Sequence, residues 1–171
     1  MSWDEAIEEI RQRKELARAQ GGAEAVARQH EKGRLTIRER IDGLLDAGSF
    51  HELGPAAGAP ERDADGRLTG YSPANFILGI GEVGGRPVAV GGEDFTLRGG
   101  SPNVSGLRKS VYAEELALQY RIPLVRLHEG GGGSVTGSAG KGSSAPTTDP
   151  VFATPRFQSV ARVLGTVPVA A

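Results

Sequence analysis

The sequence predicts an α/β fold, and the order of its predicted elements carries that prediction. Two β-rich runs are joined by Gly84-Gly85, a pair typical of a two-residue hairpin. Helical and strand-like runs then alternate toward the end of the sequence. In chain order the predicted elements are two strands, a helix, a strand, a helix and a strand, at 76–83, 86–90, 104–120, 123–127, 156–164 and 166–171. Such alternation is typical of a layered α/β domain.

The first fifty residues are predicted to be largely helical. Trp3, Ile7 and Ile10 follow the i, i+4, i+7 spacing of an apolar helix face. Charged residues continue this run as far as Val26. The pair Gly21-Gly22 is expected to break or kink the helical arm, because glycine is a poor helix former.

A later helix is predicted by its capping signals. Thr36 followed by Glu39 forms a capping box, with Leu35 at the stapling position before it. The predicted buried stripe consists of Ile41, Leu44 and Leu45. Gly48 is the predicted C-terminal stop. Residues 54–70 show no periodicity and are predicted to form an exposed connection.

Composition excludes several classes of protein. The chain has 171 residues, 38% of them apolar and 24% charged, so a packed core is expected. The absence of cysteine excludes disulfide scaffolds and a cysteine nucleophile. A net charge of −1 argues against a nucleic-acid partner. No apolar run approaches the length of a membrane span, and the N-terminus is acidic rather than signal-like, so we expect no membrane partner and a cytoplasmic location.

Several motifs in the chain do not carry the chemistry that they suggest. The G-x-G-x-x-G spacing at 79–84 lies inside a predicted strand, whereas a dinucleotide site needs it between a strand and a helix. The run at 137–142 lacks the Gly-Lys-Ser/Thr ending of a phosphate-binding loop. Ser134 has no nucleophile-elbow context. The histidines have no metal-ligand spacing, so no metal site is expected; they are His30, His51 and His128.

Glycine is unusually abundant, and its clusters suggest a site lined by backbone. The chain has 26 glycines, concentrated at 79–100 and 130–142. The run Gly130–Gly133 follows a predicted buried strand directly, at the strand end where ligands gather in α/β sheets. Backbone N–H groups there could stabilise an oxyanion. The alternative interpretation is a flexible Gly/Ser linker.

A basic cluster surrounds the start of the capped helix, and it also has two interpretations. Lys32, Arg34, Arg38 and Arg40 carry the positive charges. They could form a solvated helix face paired with nearby acidic residues. They could instead contact phosphate, for which arginine and a helix N-terminus are both suited.

Three ordered motifs resemble a known family. Residues 32–41 (KGRLTIRERI) and 44–54 (LLDAGSFHELG) resemble the N-terminal signature of biotin-dependent acyl-CoA carboxylase β subunits, the carboxyltransferases. Residues 85–88 (GRPV) and 93–101 (EDFTLRGGS) resemble the next block of that family. The glycine run after residue 127 occupies the position of the family's Gly-Gly active-site loop. The resemblance covers nearly the whole chain.

The resemblance implies a crotonase-like fold of repeated ββα turns, here incomplete, and a carboxyltransferase activity. In this family carbon dioxide passes from carboxybiotin to the α-carbon of an acyl-CoA through a thioester enolate. The implied partners are a biotin carboxylase and a biotin carrier that holds the cofactor, and full-length members form hexamers. The implied division of the chain is an N-terminal helical arm at 1–53 and a partial acyl-CoA-binding domain at 54–171. The acyl group stays open among acetyl, propionyl, methylcrotonyl and geranyl.

The resemblance also assigns candidate residues. The catalytic candidates are the backbone groups of Gly130, Gly131, Gly132 and Gly133. The CoA-binding candidates are Lys32, Arg34, Arg38, Gly99 and Gly100. Two departures stand out: the glycine block is longer than the usual pair, and Ser134 replaces the family's arginine. The family's second glycine pair and its biotin-facing domain would lie beyond Ala171.

These departures lead to an expectation and leave two alternatives. We expect a fragment that is inactive by itself and incompletely packed. One alternative is a biotin-independent crotonase-type hydratase or decarboxylase, which would need an acid–base side chain such as His128 or Glu129 near the thioester. The other is a non-catalytic remnant or assembly module whose N-terminal helix docks onto partners.

Overall fold

The computed structural model describes residues 2–101, 103–130 and 156–171, without the side chains of 156 and 157. Its α-helices are α1 (Trp3–Arg18), α2 (Ala23–Glu31), α3 (Ile37–Leu44), α4 (Val104–Tyr120) and α5 (Arg156–Leu164). Its strands are β1 (His51–Glu52), β2 (Gly58–Arg62), β3 (Leu68–Pro73), β4 (Phe76–Val83), β5 (Arg86–Glu93), β6 (Leu124–Leu127) and β7 (Val169–Ala170). A single 3₁₀ turn follows β5 at Arg98–Gly100.

A five-stranded mixed sheet forms the centre of the fold, in the order β1-β4-β5-β6-β7. Strands β1, β4 and β5 are antiparallel neighbours. Strands β5, β6 and β7 run parallel, so α4 and α5 are the crossover helices that parallel pairing requires. The predicted α/β class and the hairpin turn at Gly84-Gly85 are confirmed.

Helices cover both faces of the sheet, and side chains alternate between the two layers. Phe76 and Leu78 of β4 enter the layer beneath α4 and α5, whereas Ile77 between them enters the layer beneath α3. The two-residue period of a strand produces this alternation. The α4–α5 layer is completed by Ala89, Ala113, Leu116, Ala117, Leu124, Val163 and Val167. The α3 layer is completed by Ile37, Ile41, Leu45, Val88 and Val90.

Glycines in the sheet make room for α3. A Cβ atom on Gly81 would lie 2.5 Å from a methyl carbon of Leu45. A Cβ atom on Gly92 would overlap both the Ile37 side chain and the carbonyl oxygen of Leu127. Within the 79–84 spacing, Gly81 makes room for Leu45, Gly79 for Phe50 and the His51 carbonyl, and Gly84 adopts a positive φ in the hairpin turn, which agrees with the rejection of that motif as a nucleotide site.

The capped helix α3 begins where its signals place it. The Thr36 side chain accepts from the Glu39 backbone N–H, and the Glu39 carboxylate accepts from the Thr36 N–H, so the capping box is confirmed. Ile41 and Leu45 are buried as predicted. Two details are wrong: Leu35 is 56% exposed rather than stapled, and the helix ends at Leu44, before Gly48.

Residues 54–70 are largely exposed, as predicted, but they are wrongly predicted to be a mere connection. Strands β2 and β3 form an antiparallel hairpin there. The Asp63 carboxylate accepts from the N–H groups of Asp65 and Arg67 and closes the turn. The sequence does not reveal β2 as a strand, because β2 is largely exposed and therefore has no alternation of apolar and polar residues.

The predicted N-terminal helix is confirmed, but its apolar stripe does not enter the core. Trp3 is 86% exposed, and Ile7 and Ile10 are 45% and 48% exposed. Helix α1 meets the body of the protein further along, at Ala17, and on another side through an ion pair of Glu9 with Arg62 at 2.6 Å. The structure breaks after α1 at Gly21-Gly22, as expected.

The last helix and strand of the sequence prediction are both present. The helix at 156–164 is confirmed, and the strand predicted at 166–171 is shorter, at Val169–Ala170. The division at residue 53 stays a prediction. Within the described ranges, no helix is long and apolar enough to cross a membrane.

Substitution of two glycines by alanine should have opposite effects. Gly92→Ala should lower the free energy of unfolding by about 1–3 kcal/mol, because the new methyl group overpacks the α3 layer. Gly43→Ala should raise it by up to about 1 kcal/mol, because Gly43 lies on the exposed face of α3 with open space around it. Urea titration monitored by circular dichroism measures both changes. Equal effects of the two substitutions would contradict the packing argument.

Candidate functional site

The candidate site lies where β5 and β6 end. These strands are parallel and in register, with Gly92 opposite Leu127, so their carboxyl ends meet at one edge of the sheet. The chain after β5 passes through the turn at Arg98–Gly100. The chain after β6 continues into His128–Gly130. This edge is where open α/β sheets place their ligands.

The two loops touch through their backbones at Gly100. A Cβ atom on Gly100 would overlap the carbonyl oxygen of Glu129 and lie 3.0 Å from the Cα of Gly130. Gly100 also has a φ of +73°, which side-chain-bearing residues rarely adopt. Glycine is therefore required at this position for two reasons. The contact brings together one predicted CoA-binding residue and the first residue of the predicted catalytic run.

A buried amide holds the first loop in place. The Asn75 side chain, 1% exposed, donates to the Ser101 carbonyl at 2.6 Å and accepts from the Asn103 N–H at 3.0 Å. Asn103 in turn caps α4 by accepting from the Gly106 N–H at 2.7 Å. These bonds fix the chain on both sides of position 102. The turn carrying Gly100 is thus anchored to the start of α4.

A buried ion cluster holds the second loop in place. The Arg126 guanidinium lies 3.0 Å from a carboxylate oxygen of Glu114 and donates to the carbonyl and hydroxyl oxygens of Ser110. It also lies over the Phe76 ring, 4.9 Å from the centroid. Glu93 at the end of β5 lies 3.6 Å from the same guanidinium. The cluster ties β5, β6 and α4 together just below the strand ends.

Part of the basic cluster reaches this edge through Glu129. The Gln29 amide donates to the Glu129 carboxylate at 2.5 Å. Arg34 and Arg40 lie 3.7 and 3.6 Å from the same carboxylate. The Arg34 guanidinium also lies 5.8 Å from the Phe95 ring centroid and is 53% exposed. Arg34 is therefore beside the site and partly open to solvent.

Arg38 faces a different partner. Its guanidinium makes two hydrogen bonds to Glu52, at 2.9 and 3.2 Å, and is 22% exposed. The Lys109 ammonium lies 4.0 Å from the same carboxylate and donates to the Gly54 carbonyl. Burial lowers the pKa of Lys109 to about 8, against the raising effect of Glu52. The role of Arg38 in CoA binding stays a prediction, and the Glu52 pair competes with it.

The remaining candidates are scattered or lie outside the described residues. Lys32 is exposed just after α2, and Gly99 lies in the turn with a φ of +62°. Gly131–Gly133 and Ser134 lie outside the described residues, so Gly130 is the part of the predicted catalytic run that the structure places. The roles of all these residues stay predictions.

The histidines do not converge. His30 contacts the Glu39 carboxylate at 3.0 Å, His128 lies 3.4 Å from Glu93, and His51 is exposed on β1. In the part of the chain that the structure describes, no group of three or more histidine, cysteine, aspartate or glutamate side chains could hold a metal ion.

Three residues that shape the site were not singled out from the sequence. Asn75 and Arg126 adjoin or interrupt apolar strands, where a polar side chain is easily assigned to the exposed face. Lys109 lies on the predicted helix α4 among residues of mixed polarity. A buried polar residue is recognisable only once its partners are placed, and these partners come from other elements.

Comparison with known proteins places the chain in one protein family. The family described as "carboxyl transferase domain" matches residues 28–149. The chain belongs to this family, which confirms the resemblance read from the motifs.

Relatives with similar sequences are named as beta subunits of acyl-CoA carboxylases. The propionyl-CoA carboxylase beta chain of Cereibacter sphaeroides is 36% identical over 131 residues, which are 75% of this chain and 25% of that protein. The biotin-dependent 3-methylcrotonyl-coenzyme A carboxylase beta1 subunit of Mycobacterium tuberculosis is 40% identical over 119 residues, which are 68% of this chain and 21% of that protein. The chain thus spans about a quarter of the length of such relatives.

Solved structures agree with the fold. Transcarboxylase 12S, described as a hexamer with methylmalonyl-coenzyme A bound, matches with a TM-score of 0.62 and 31% identity over 77% of this chain and 26% of its own. A single-chain, multi-domain long-chain acyl-CoA carboxylase matches with a TM-score of 0.70 and 29% identity over 99% of this chain and 17% of its own. The partial coverage of these chains is consistent with an incomplete crotonase-like fold.

The buried ammonium of Lys109 should make stability depend on alkaline pH. Its pKa is about 8 in the folded state and about 10.5 ordinarily, so the unfolded chain binds the proton more tightly. Stability should therefore rise with pH between these values, by a total on the order of 3 kcal/mol. Lys109→Met should remove this rise, as measured by urea unfolding across that pH range.

The matched control is Lys32→Met, at an exposed position just after α2. This variant should keep the dependence of the original chain. The comparison uses slopes rather than absolute stabilities, because Lys109→Met also removes the hydrogen bond to Gly54 at every pH. Parallel curves for the original chain and Lys109→Met would contradict the assignment.

Proposed function

We propose that this chain provides the acyl-CoA-binding part of the carboxyltransferase component of a biotin-dependent acyl-CoA carboxylase. One observation carries the proposal: the backbone contact of Gly100 with Glu129 and Gly130 lies inside the family match. It brings the loop predicted to bind CoA against the start of the loop predicted to bind the thioester. The named activities of the relatives support the same class of reaction.

The CoA end of the substrate would meet the exposed basic residues beside this edge. Arg34 is half-exposed and is positioned by Phe95 and Glu129, and Lys32 lies two residues before it. A guanidinium matches a phosphate with paired hydrogen bonds, and a lysine adds a mobile positive charge. The pairing of Arg38 with Glu52 leaves Arg38 the weaker phosphate ligand of the three.

The thioester would lie over the glycine loop. Removal of the α-proton gives an enolate, whose negative charge resides largely on the thioester oxygen. Backbone N–H groups of the run that begins at Gly130 would stabilise this charge without side chains, and each such donor is worth about 3–4 kcal/mol. The enolate carbon then forms a bond to carbon dioxide and yields the carboxylated acyl-CoA.

Biotin, held by a carrier protein, supplies the activated carbon dioxide in such enzymes. The groove of about 690 Å³ between α1 and the β2–β3 turn does not fit it, because five carboxylates, those of Asp4, Glu5, Glu8, Glu9 and Asp65, outnumber the single cation Arg67 in its lining. These carboxylates would repel an anionic carboxybiotin. We therefore assign no biotin contact to this groove.

The proposed partners follow from the same class. They are a biotin carboxylase, a biotin carrier and further copies of the carboxyltransferase subunit, since the transcarboxylase neighbour is described as a hexamer. A cytoplasmic location and a role in acyl-CoA or fatty acid metabolism belong to this proposal. The identity of the acyl group is left open between the chemistries named for the relatives.

Binding of CoA tests the phosphate contacts. Arg34→Met should weaken CoA binding about ten-fold in titration calorimetry, because one charge-assisted phosphate contact is lost. The original chain should also prefer CoA to dephospho-CoA, and Arg34→Met should reduce that preference. Arg28→Met is the matched control, because Arg28 lies on α2 and pairs with Glu24. Equal affinities of the original chain and Arg34→Met would overturn the assignment.

Turnover tests the division of labour. The 171-residue chain should bind acyl-CoA but fix no labelled bicarbonate, even with a biotinylated carrier and its carboxylase present. The reason is that the chain spans about a quarter of the length of the relatives that carry the named activity. Carboxylation of acyl-CoA by the purified chain would contradict the proposal.

A further inference from the structure

Helix α1 presents an apolar stripe that the described structure leaves uncovered. Trp3, Ile7 and Ile10 are exposed, and Lys14 continues the same line one turn later. Their spacing of four, three and four residues places these side chains within about 60° of one another around the helix. The stripe is uncovered from Trp3 to Lys14 and ends at Ala17, which lies on the same line seven residues after Ile10 and is buried against the body of the protein.

Charge on α1 is divided along its length. The N-terminal half carries Asp4, Glu5, Glu8 and Glu9. The C-terminal half is mainly basic, with Arg11, Arg13, Lys14 and Arg18. A second copy of the same helix laid antiparallel would bring the acidic half of each against the basic half of the other. A parallel arrangement would oppose like charges instead.

We propose that α1 pairs antiparallel with α1 of a second copy of this chain, through the stripe of Trp3, Ile7, Ile10 and Lys14. The heptad-like spacing places Ile7 against the partner's Ile10 and Trp3 against the partner's Lys14. The lysine stem and its charge suit the face of an indole ring. The contact is isologous, so each pairing occurs twice.

The flanking residues fit the same register. Asp4 follows Trp3 and Arg11 follows Ile10, so both lie on one side of the stripe. In the proposed register Asp4 is offset from the partner's Arg11 by about two residues, or about 3 Å along the axis. Arg11 contacts Glu8 within its own helix at 3.5 Å, but both side chains are about 70% exposed. Such a pair contributes little and can be exchanged for the contact between helices.

This interface is independent of the proposed carboxyltransferase function. It uses no residue of the β5–β6 edge, and its test measures association rather than activity. Charge complementarity favours a second copy over a lipid surface, because the stripe is flanked by carboxylates rather than by basic residues alone.

Sedimentation equilibrium tests the association. The chain should form dimers of twice its 17.8 kDa mass as its concentration rises. Ile7→Asp should weaken dimerisation by about a hundred-fold or more, because it places two charges in the apolar centre of the pair. Leu16→Asp is the matched control: it lies on the same helix, is 40% exposed, and faces away from the stripe. Circular dichroism verifies that each variant keeps its helix content.

A charge exchange tests the register. Asp4→Arg alone should weaken dimerisation about ten-fold, since two attractive contacts become repulsive. Adding Arg11→Asp to Asp4→Arg should restore association to within about three-fold of the original chain. Failure of the double variant to recover would overturn the proposed register.

Cross-linking tests the direction of the helices. The chain has no native cysteine, so only the introduced cysteines can form a disulfide. A mixture of Trp3→Cys and Lys14→Cys chains should form a mixed disulfide. Trp3→Cys alone should not cross-link, because its two thiols would lie about 16 Å apart along the axis. A monomer at every concentration, a dimer insensitive to Ile7→Asp, or binding of anionic phospholipid vesicles by the monomer through this stripe would overturn the proposal.

Discussion

A buried guanidinium, that of Arg126, sets where the chain leaves the sheet. Arg126 is 4% exposed, and its charge is tolerated there because Glu114 and Ser110 of α4 and the Phe76 ring of β4 surround it. These partners belong to different elements, so the cluster fixes the crossover helix against the strands. Residues 128–130 then emerge beside the end of β5. The meeting of the two loops depends on this arrangement.

The candidate site is shaped mainly by backbone, which agrees with the chemistry of an enolate. Gly100 allows the close approach of the loops, and Asn75 and Asn103 hold the turn without entering the site. The charged side chains at this edge are engaged with one another, Glu129 with Arg34 and Arg40, and Glu93 with His128. A reaction that requires fixed dipoles rather than a proton-relay pair suits such a place. The family to which the chain belongs is described as a carboxyl transferase domain.

Signals within a few residues predicted most helices and strands correctly, whereas contacts between residues far apart in the sequence were not predicted. The hairpin at Gly84-Gly85, the capping box at Thr36 and the helix α4 all have signals within a few residues, and all are present. The β2–β3 hairpin was missed because it has no buried face to impose a period. The family and fold class followed from ordered motifs.

The partners of single residues in the basic cluster were likewise not predictable from the sequence. The charge pattern predicts the same role for Arg34 and Arg38, since both lie near the start of α3. In the structure Arg38 is engaged by Glu52, fourteen residues away, while Arg34 lies beside Glu129 at the strand end. Neither partner can be inferred from spacing, because both depend on how α3 packs across the sheet. In the same way, the helical spacing of Trp3, Ile7 and Ile10 suggests a buried face, but these side chains are exposed.

The turn between β4 and β5 has a consequence for how the chain acquires its structure. The two strands meet across two residues, and the Asp46 carboxylate accepts from the N–H groups of both Gly84 and Gly85. Strand β6, in contrast, must return past the whole of α4 before it can pair. Closing a short loop costs little entropy and closing a long one costs more. The β4–β5 hairpin is therefore expected to form first, and α3 and the parallel strands, which both close long loops, to condense onto it later.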